Sequence, residues 1–252
     1  MGETQEEKMN AIETQHLEKQ YQHVPAVQDL SLQVTDGEIL SLLGMNGAGK
    51  TTTIKMLSCL IKPTSGDALV YGKSILSQPE EVKSMISISP QENSFARNLT
   101  VEENLRFMCG IYGLSKSRTA ENVKRITQQL SLQSVLQQRA GKLSGGWQKR
   151  LSIAMALATE PKLLFLDEPT LGLDVMARRE LWRVIESLKG TMTIIITTHY
   201  LEESEHLADH IAIMEKGNLK AYGTLETLQQ QTGKEKLEDI FLAVSEKMGG
   251  AL

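Results

Sequence analysis

An apolar run, Ile39–Leu43, leads directly into Gly44, Met45, Asn46, Gly47, Ala48, Gly49, Lys50, Thr51 and Thr52, and a helical pattern with Ile54, Met56 and Leu57 follows. A strand that stops at a glycine-rich loop and restarts as a helix is a strong constraint. It belongs in a sheet whose strands end at a ligand edge, with loop amides and a helix N-terminus facing an anion. Gly44, Gly49, Lys50 and Thr51 hold the fixed positions of the phosphate-loop pattern. The glycines let backbone N–H groups curl around phosphates, Lys50 neutralises the β and γ oxygens, and the Thr51 hydroxyl is a ligand for Mg²⁺.

The rest of the chain repeats the alternation. Short strands are predicted at Ile12–His16, Val27–Val34, Ala68–Tyr71 and Met85–Ser89, with a turn at Asp36 and Gly37 and a break at Pro63–Gly66. From residue 92 to about 150 the pattern becomes helical. Thr100 and Glu103 are spaced as a capping box, Leu105, Met108, Ile111 and Tyr112 fall on one face, and Val123, Ile126 and Leu130 mark a second helix. A helix through Leu151, Ala154, Met155 and Ala158 precedes a nearly continuous apolar strand, Leu163–Leu166, which suits the centre of a parallel sheet. A helix around Leu181, Val184, Ile185 and Leu188 then leads to the strand Ile194–Ile196, ending near His199. Ile211–Met214 and Leu219–Tyr222 flank Lys216, Gly217 and Asn218 as a hairpin, and Leu237, Ile240, Phe241 and Val244 mark a C-terminal helix. The core is α/β. The division expected is a flexible tail over residues 1–10, a nucleotide-binding domain over 11–225 and a helical extension over 226–252.

Two further clusters carry chemistry. Asp167 and Glu168 stand where the apolar strand stops, at the ligand edge; an Asp there holds Mg²⁺ through water, and a neighbouring Glu polarises a water for in-line attack. Leu143, Ser144, Gly145, Gly146 and Trp147 open a helix with a hydroxyl, free amides and a positive helix end, a second anion-binding element. Two phosphate elements beside one candidate base point to a site shared between two copies of a domain.

These motifs, in this order from Tyr21 to His199, resemble the nucleotide-binding subunit of an ATP-binding-cassette (ABC) transporter, and the similarity extends over nearly the whole chain. The resemblance implies a P-loop NTPase core with a small antiparallel β-subdomain and an α-helical subdomain insertion. It implies ATP and Mg²⁺ as ligands and ATP hydrolysis coupled to transport. In that family Tyr21 stacks on adenine, residues 44–52 hold the phosphates, Thr51, Gln91 and Asp167 serve the metal, and Glu168, Gln91 and His199 serve catalysis. Ser144, Gly145 and Gly146 match the signature that caps the γ-phosphate bound by the opposite subunit, and Asp174 matches a loop at the dimer interface. Trp147 departs from the family's usual Gln: an indole has only an N–H donor and cannot replace the carboxamide's acceptor. The implied partners are a second nucleotide-binding subunit, identical or not, and an integral membrane permease, which places the chain peripherally on the cytoplasmic face of the membrane. The short insertion and the run Leu237–Leu242 (LEDIFL) resemble the bacterial export-type branch.

Composition narrows the alternatives. With a net charge of −4 over 252 residues there is no global basic footprint, and nucleic acid is not an expected partner. No stretch reaches the about 18 apolar residues of a membrane helix, and the polar, acidic start from Met1 to Met9 lacks the pattern of a signal peptide. Cys59 and Cys109 are too few for a disulfide framework and read as small buried residues of helices. Lys149 and Arg150 read as solvated helix charges. The rival reading is a soluble ATP-gated assembly or regulatory protein with slow hydrolysis.

Overall fold

The computed structural model describes residues 9–246. Its centre is a sheet in the order β11 (Asn218–Gly223), β10 (His210–Glu215), β4 (Ile39–Leu43), β9 (Thr193–Thr198), β8 (Leu163–Asp167), β7 (Ile86–Ser89). The strands β4 (Ile39–Leu43), β8 (Leu163–Asp167) and β9 (Thr193–Thr198) are buried along their whole length. They need apolar or paired side chains on both faces, which explains why Leu and Ile dominate them. β7 (Ile86–Ser89) and β10 (His210–Glu215) extend the parallel array on either side, and β11 (Asn218–Gly223) closes one edge antiparallel to β10. The predicted hairpin turn is present, with Lys216 and Gly217 both at positive φ (47° and 81°), the twist that a tight hairpin requires.

A second, antiparallel sheet is built around β1 (Asn10–Tyr21), which pairs with β2 (Val24–Leu30), β3 (Gln33–Thr35) and β5 (Ser65–Val70); β6 (Lys73–Ser74) adds to β5. This corrects two expectations. β1 runs to Tyr21 rather than stopping at His16, and the predicted run Val27–Val34 is two strands, each pairing with a different stretch of β1 across register shifts. The inner side of this sheet shares a core with β4, β8 and α1 (Lys50–Leu57), centred on Ile12, Leu17, Leu40, Ile54 and Phe165.

The helical layer comprises α3 (Val101–Ile111), α4 (Lys116–Gln129), α5 (Gly145–Leu157) and α6 (Val175–Glu186), packed with two 3₁₀ turns, Gln133–Val135 and Ala140–Lys142, into one core. The predicted capping box is formed: the Thr100 hydroxyl accepts from the Glu103 amide at 3.1 Å and the Glu103 carboxylate from the Thr100 amide at 2.7 Å. The buried stripe of α3 is Val101, Leu105 and Cys109, whereas Ile111 and Tyr112, expected on that face, are exposed. Cys59 lies in the turn after α1, half-buried, rather than in the helix.

Two helices carried too little apolar periodicity to be foreseen: α2 (Pro79–Met85), which takes Met85 out of the predicted strand, and α7 (Leu201–Leu207); α8 (Leu225–Thr232) opens the stretch expected as a helical extension. The last, α9 (Leu237–Glu246), buries Leu237 and Ile240 against α8, α7 and Ile211 as its periodicity predicted. Residues 1–8 of the expected tail and 247–252 of the expected extension lie outside the described residues, and Asn10 already belongs to β1. No described helix is long and apolar enough to cross a membrane.

Candidate functional site

β4, β8 and β9 are parallel neighbours, so their carboxyl ends deliver three loops to one edge. From β4 comes the glycine-rich loop, which enters α1 through Gly49 at φ 105°, a conformation open to glycine and strained for side chains; a Cβ there would also stand 2.5 Å from the Ala26 carbonyl oxygen. From β8 come Asp167 and Glu168, and from β9 come Thr197, Thr198 and His199.

The side chains converge. Lys50 is buried, donates to the carbonyls of Gly44 and Met45 at 2.7 and 3.3 Å, and stands 3.4 Å from Glu168 Oε1. The other oxygen of Glu168 meets His199 Nδ1 at 2.8 Å. Asp167 Oδ1 accepts from the Thr51 hydroxyl at 3.1 Å and from the Thr197 hydroxyl at 2.5 Å. The Thr197 hydroxyl also accepts from the Glu168 amide at 3.0 Å. Glu168 has φ 48°, in the left-handed region, and such strain on a non-glycine residue persists where the surroundings over-determine it, most often at functional sites. The strained turn presents the Glu168 carboxylate to the open edge while Asp167 faces the interior.

Above this cluster is a cleft of about 360 Å³, and its lining includes Tyr21, Asn46, Gly47, Ala48, Gly49, Lys50, Thr51, Thr52, Gln91, Glu168 and His199. Tyr21, at the end of β1, is exposed, as an aromatic platform at a cleft mouth must be. Of the residues predicted for the loop, Gly44 lies beneath the cleft and Met45 is exposed beside it. Ala26 and Leu171 also line the cleft and had no signal in the sequence.

Ser144, Gly145, Gly146 and Asp174 do not line this cleft. They form a second, coherent feature at the N-termini of α5 and α6. Ser144 is the N-cap of α5 and makes no side-chain capping bond, which leaves its hydroxyl and the first amides of the helix facing outward. Gly146 is packed against α6, where a Cβ would come 3.1 Å from the Ala177 Cβ. Asp174 caps α6, accepting from the amides of Met176 and Ala177 at 2.9 and 3.0 Å.

Lys149 and Arg150 correct the expectation of solvated charges. Both are buried: Lys149 Nζ donates to the Gln91 carbonyl at 2.5 Å, and Arg150 pairs with Glu180 at 2.7 Å beneath the Trp147 ring. Burial pushes the Lys149 pKa down, while the nearby Asp167 and Glu168 carboxylates draw it back up. The signal was available: Leu151 to Ala158 leave no polar face on α5, so charges in its early turns must meet protein.

A phosphate-loop cleft closed by an Asp-Glu strand end and a histidine, with a signature helix set apart from it, defines an ATP-binding cassette. A family model described as ABC transporter matches residues 27–171, and the chain belongs to that family. It is 40% identical over 229 residues to the daunorubicin/doxorubicin resistance ATP-binding protein DrrA of Streptomyces peucetius, covering 90% of this chain and 69% of that protein. It is 39% identical over 230 residues to the probable multidrug ABC transporter ATP-binding protein YbhF of Escherichia coli (strain K12), and 39% over 232 residues to the human phospholipid-transporting ATPase ABCA3. These alignments cover 90% of this chain but 39% and 14% of those proteins. The chain thus spans well under two thirds of both. Among solved structures, an ATP-binding subunit of an ABC transporter superposes with a TM-score of 0.82 at 29% identity, covering 93% of this chain and 99% of that one. The ADP conformation of MJ1267, an ATP-binding cassette of an ABC transporter, gives 0.80 at 26%, with the same coverage. The chain is an ABC ATPase cassette that binds ATP.

Proposed function

We propose that this cassette powers transport, in the export direction, through a membrane permease supplied by a separate polypeptide, working in a pair of cassettes that ATP draws together at the cytoplasmic face of the membrane. The names of DrrA and YbhF, a resistance protein and a probable multidrug transporter subunit, support export. In this reading Tyr21 stacks on the adenine ring, residues 44–52 cradle the phosphates, and Lys50 neutralises the β and γ oxygens. Thr51 and Asp167 are hard oxygen donors held 3.1 Å apart, a set that fits Mg²⁺, with Gln91 at the cleft mouth as a further ligand. Bound there, the ion would offset the charge on the β and γ phosphates.

Glu168 is the general base. It accepts a proton from the attacking water as the water oxygen bonds to the γ-phosphorus and the bond to the ADP oxygen breaks. His199 orients Glu168 through its 2.8 Å contact and lines the cleft, where it would meet the γ-phosphate. Ser144, Gly145 and Gly146 cap the γ-phosphate held by the partner cassette, and Asp174 stands at the interface between the two. The observation that carries this reading is the convergence of Lys50, Glu168 and His199 at one cleft.

Replacing Glu168 with Gln keeps the shape and removes the base. ATP turnover is expected to fall by roughly 10²- to 10⁴-fold while ATP binding persists. Equal turnover in wild type and Glu168→Gln would overturn the catalytic assignment. The transport reading has a separate test. If turnover does not respond when a candidate permease is reconstituted with the cassette, and the two do not co-purify, that reading fails.

A further inference from the structure

α5 carries the signature at its first residues, and one turn later it touches the cassette's own cleft. The segment after β7 is held to α5 at alternate residues. The Ser89 hydroxyl meets the Ser152 hydroxyl at 3.0 Å, the Gln91 carbonyl accepts from Lys149 at 2.5 Å, and the Asn93 amide group donates to Gln148 at 3.0 Å. Gln148 in turn donates to the Leu143 carbonyl, just ahead of Ser144, at 2.9 Å. Only the middle contact uses a charge, and it is a costly one. A buried ammonium must be compensated, and among the described residues Lys149 has no carboxylate within salt-bridge distance; its hydrogen bond is to a backbone carbonyl. A methionine would fill the same volume without that cost, so packing does not account for the charge.

We infer that Lys149 is a positioning residue that fastens the Gln91 segment to the signature helix, so that the loop watching the cassette's own nucleotide and the loop offered to the partner's nucleotide move as one body. The inference rests on the reading of Gln91 as part of the ATP site. Gln91 is exposed and lines the cleft, its side chain bonded to none of the described residues, so the direction it takes is set by its backbone, and that backbone is gripped by Lys149. The carboxylates of Asp167 and Glu168, which stabilise the ammonium at a distance, tie its charge to the same site.

The test compares wild type, Lys149→Met, Gln91→Ala and the double variant in full-length protein with Mg·ATP. Lys149→Met is expected to lower kcat by about tenfold with KM within about twofold, because misplacing a group costs turnover more than ground-state binding. In the Gln91→Ala background the same change is expected to cost less than about twofold, the non-additivity of two residues acting through one contact. Amide exchange at residues 91–94 should rise several-fold in Lys149→Met with residues 44–52 unchanged. Multiplying kcat losses, unchanged turnover in Lys149→Met, or wild-type exchange at 91–94 would each overturn the inference. If Gln91→Ala keeps full turnover while Lys149→Met loses it, Lys149 does not act through Gln91 and the inference falls with the ATPase reading intact. A wild type without turnover would sink the functional reading instead, and the exchange measurement alone would then decide the clamp.

Discussion

The loop after β4 is finished within the chain, whereas the loop ahead of α5 is left open. In the first, the ammonium of Lys50 holds two carbonyls and faces Glu168, and Asp167 is satisfied by two hydroxyls. In the second, Ser144 and Gly145 are exposed and the N-cap hydroxyl bonds no helix amide. Other caps of the same molecule do their local work: Thr100, Ser115, Asp174 and Thr224 each accept from an amide of the helix they start. An uncapped helix start forgoes about 1 kcal/mol, which makes sense where the orphan donors are meant for an anion from outside. In the reading proposed above, one region is a site and the other is offered to a partner's nucleotide.

The contrast is broken most severely at Lys50. Lys50→Ala removes the ammonium that faces Glu168 at 3.4 Å and leaves that buried carboxylate without it, so turnover should drop by roughly 10³-fold and ATP binding should weaken with it. Steady-state turnover and equilibrium nucleotide binding on one preparation read both. Ser144→Arg attacks the other half by setting a cation at the positive end of α5. Binding to the isolated cassette should be unchanged, turnover should fall by about tenfold to a hundredfold, and the rise with protein concentration expected of a site shared by two cassettes should flatten. Weakened binding to the isolated cassette would mean that Ser144 serves its own nucleotide.

Smaller effects probe how the two halves are supported. Asp174→Ala removes both cap bonds of α6 and should cost about 1 kcal/mol, a fall in Tm of roughly 2–4 °C for a chain of this size. Glu203, on α7 behind His199, is buried with its carboxylate accepting from the Trp182 indole at 3.1 Å. Burial raises its pKa above the usual 4.5, and the Thr198 and Thr170 hydroxyls pull it down. Sign follows from linkage: the folded state then holds the proton more tightly than the unfolded one. The contribution is therefore favourable below the usual value and is lost as pH rises through the raised one. Glu203→Gln keeps an acceptor for the indole and removes the titration. Its Tm should gain on the wild type as pH rises above the usual carboxylate range, and a constant difference would show that Glu203 ionises as freely folded as unfolded.

What could be read in advance follows the same division. β4, β8 and β9 announced themselves because strands buried on both faces are mostly apolar, with polar residues only where a partner meets them. β1 concealed its length because its second half, Glu18 to Tyr21, alternates weakly on a half-exposed sheet and bulges past its partners. α7 was invisible for another reason: its buried residues are Glu203, Ser204 and Leu207, two of them polar and met by distant residues, Ser204 by the Ser41 hydroxyl and one Glu203 oxygen by the Trp182 indole. The phosphate loop, Asp167, Glu168 and His199 were legible as motifs. Lys149 was not, since a charge beside Arg150 looks solvated until the apolar ring of α5 beyond it is taken into account.

Trp147 tests where the open half ends. It follows the signature glycines, yet its ring packs on the helical core and the Arg150 guanidinium lies 4.7 Å from its centroid, with Arg150 itself paired to Glu180. Its stacking face is therefore occupied within the chain, and the outward-facing groups are those of Ser144 to Gly146. Trp147→Gln should lower stability by about 1 kcal/mol through the lost cation–π contact and burial, read as a lower Tm. Turnover and its dependence on protein concentration should change by less than about threefold, because a group worth so little to the fold here and pointing inward has no hold on the transition state. A tenfold change in turnover at unchanged Tm would move Trp147 to the lent side of the boundary and make the indole, rather than the serine and glycines alone, part of what the partner's nucleotide meets.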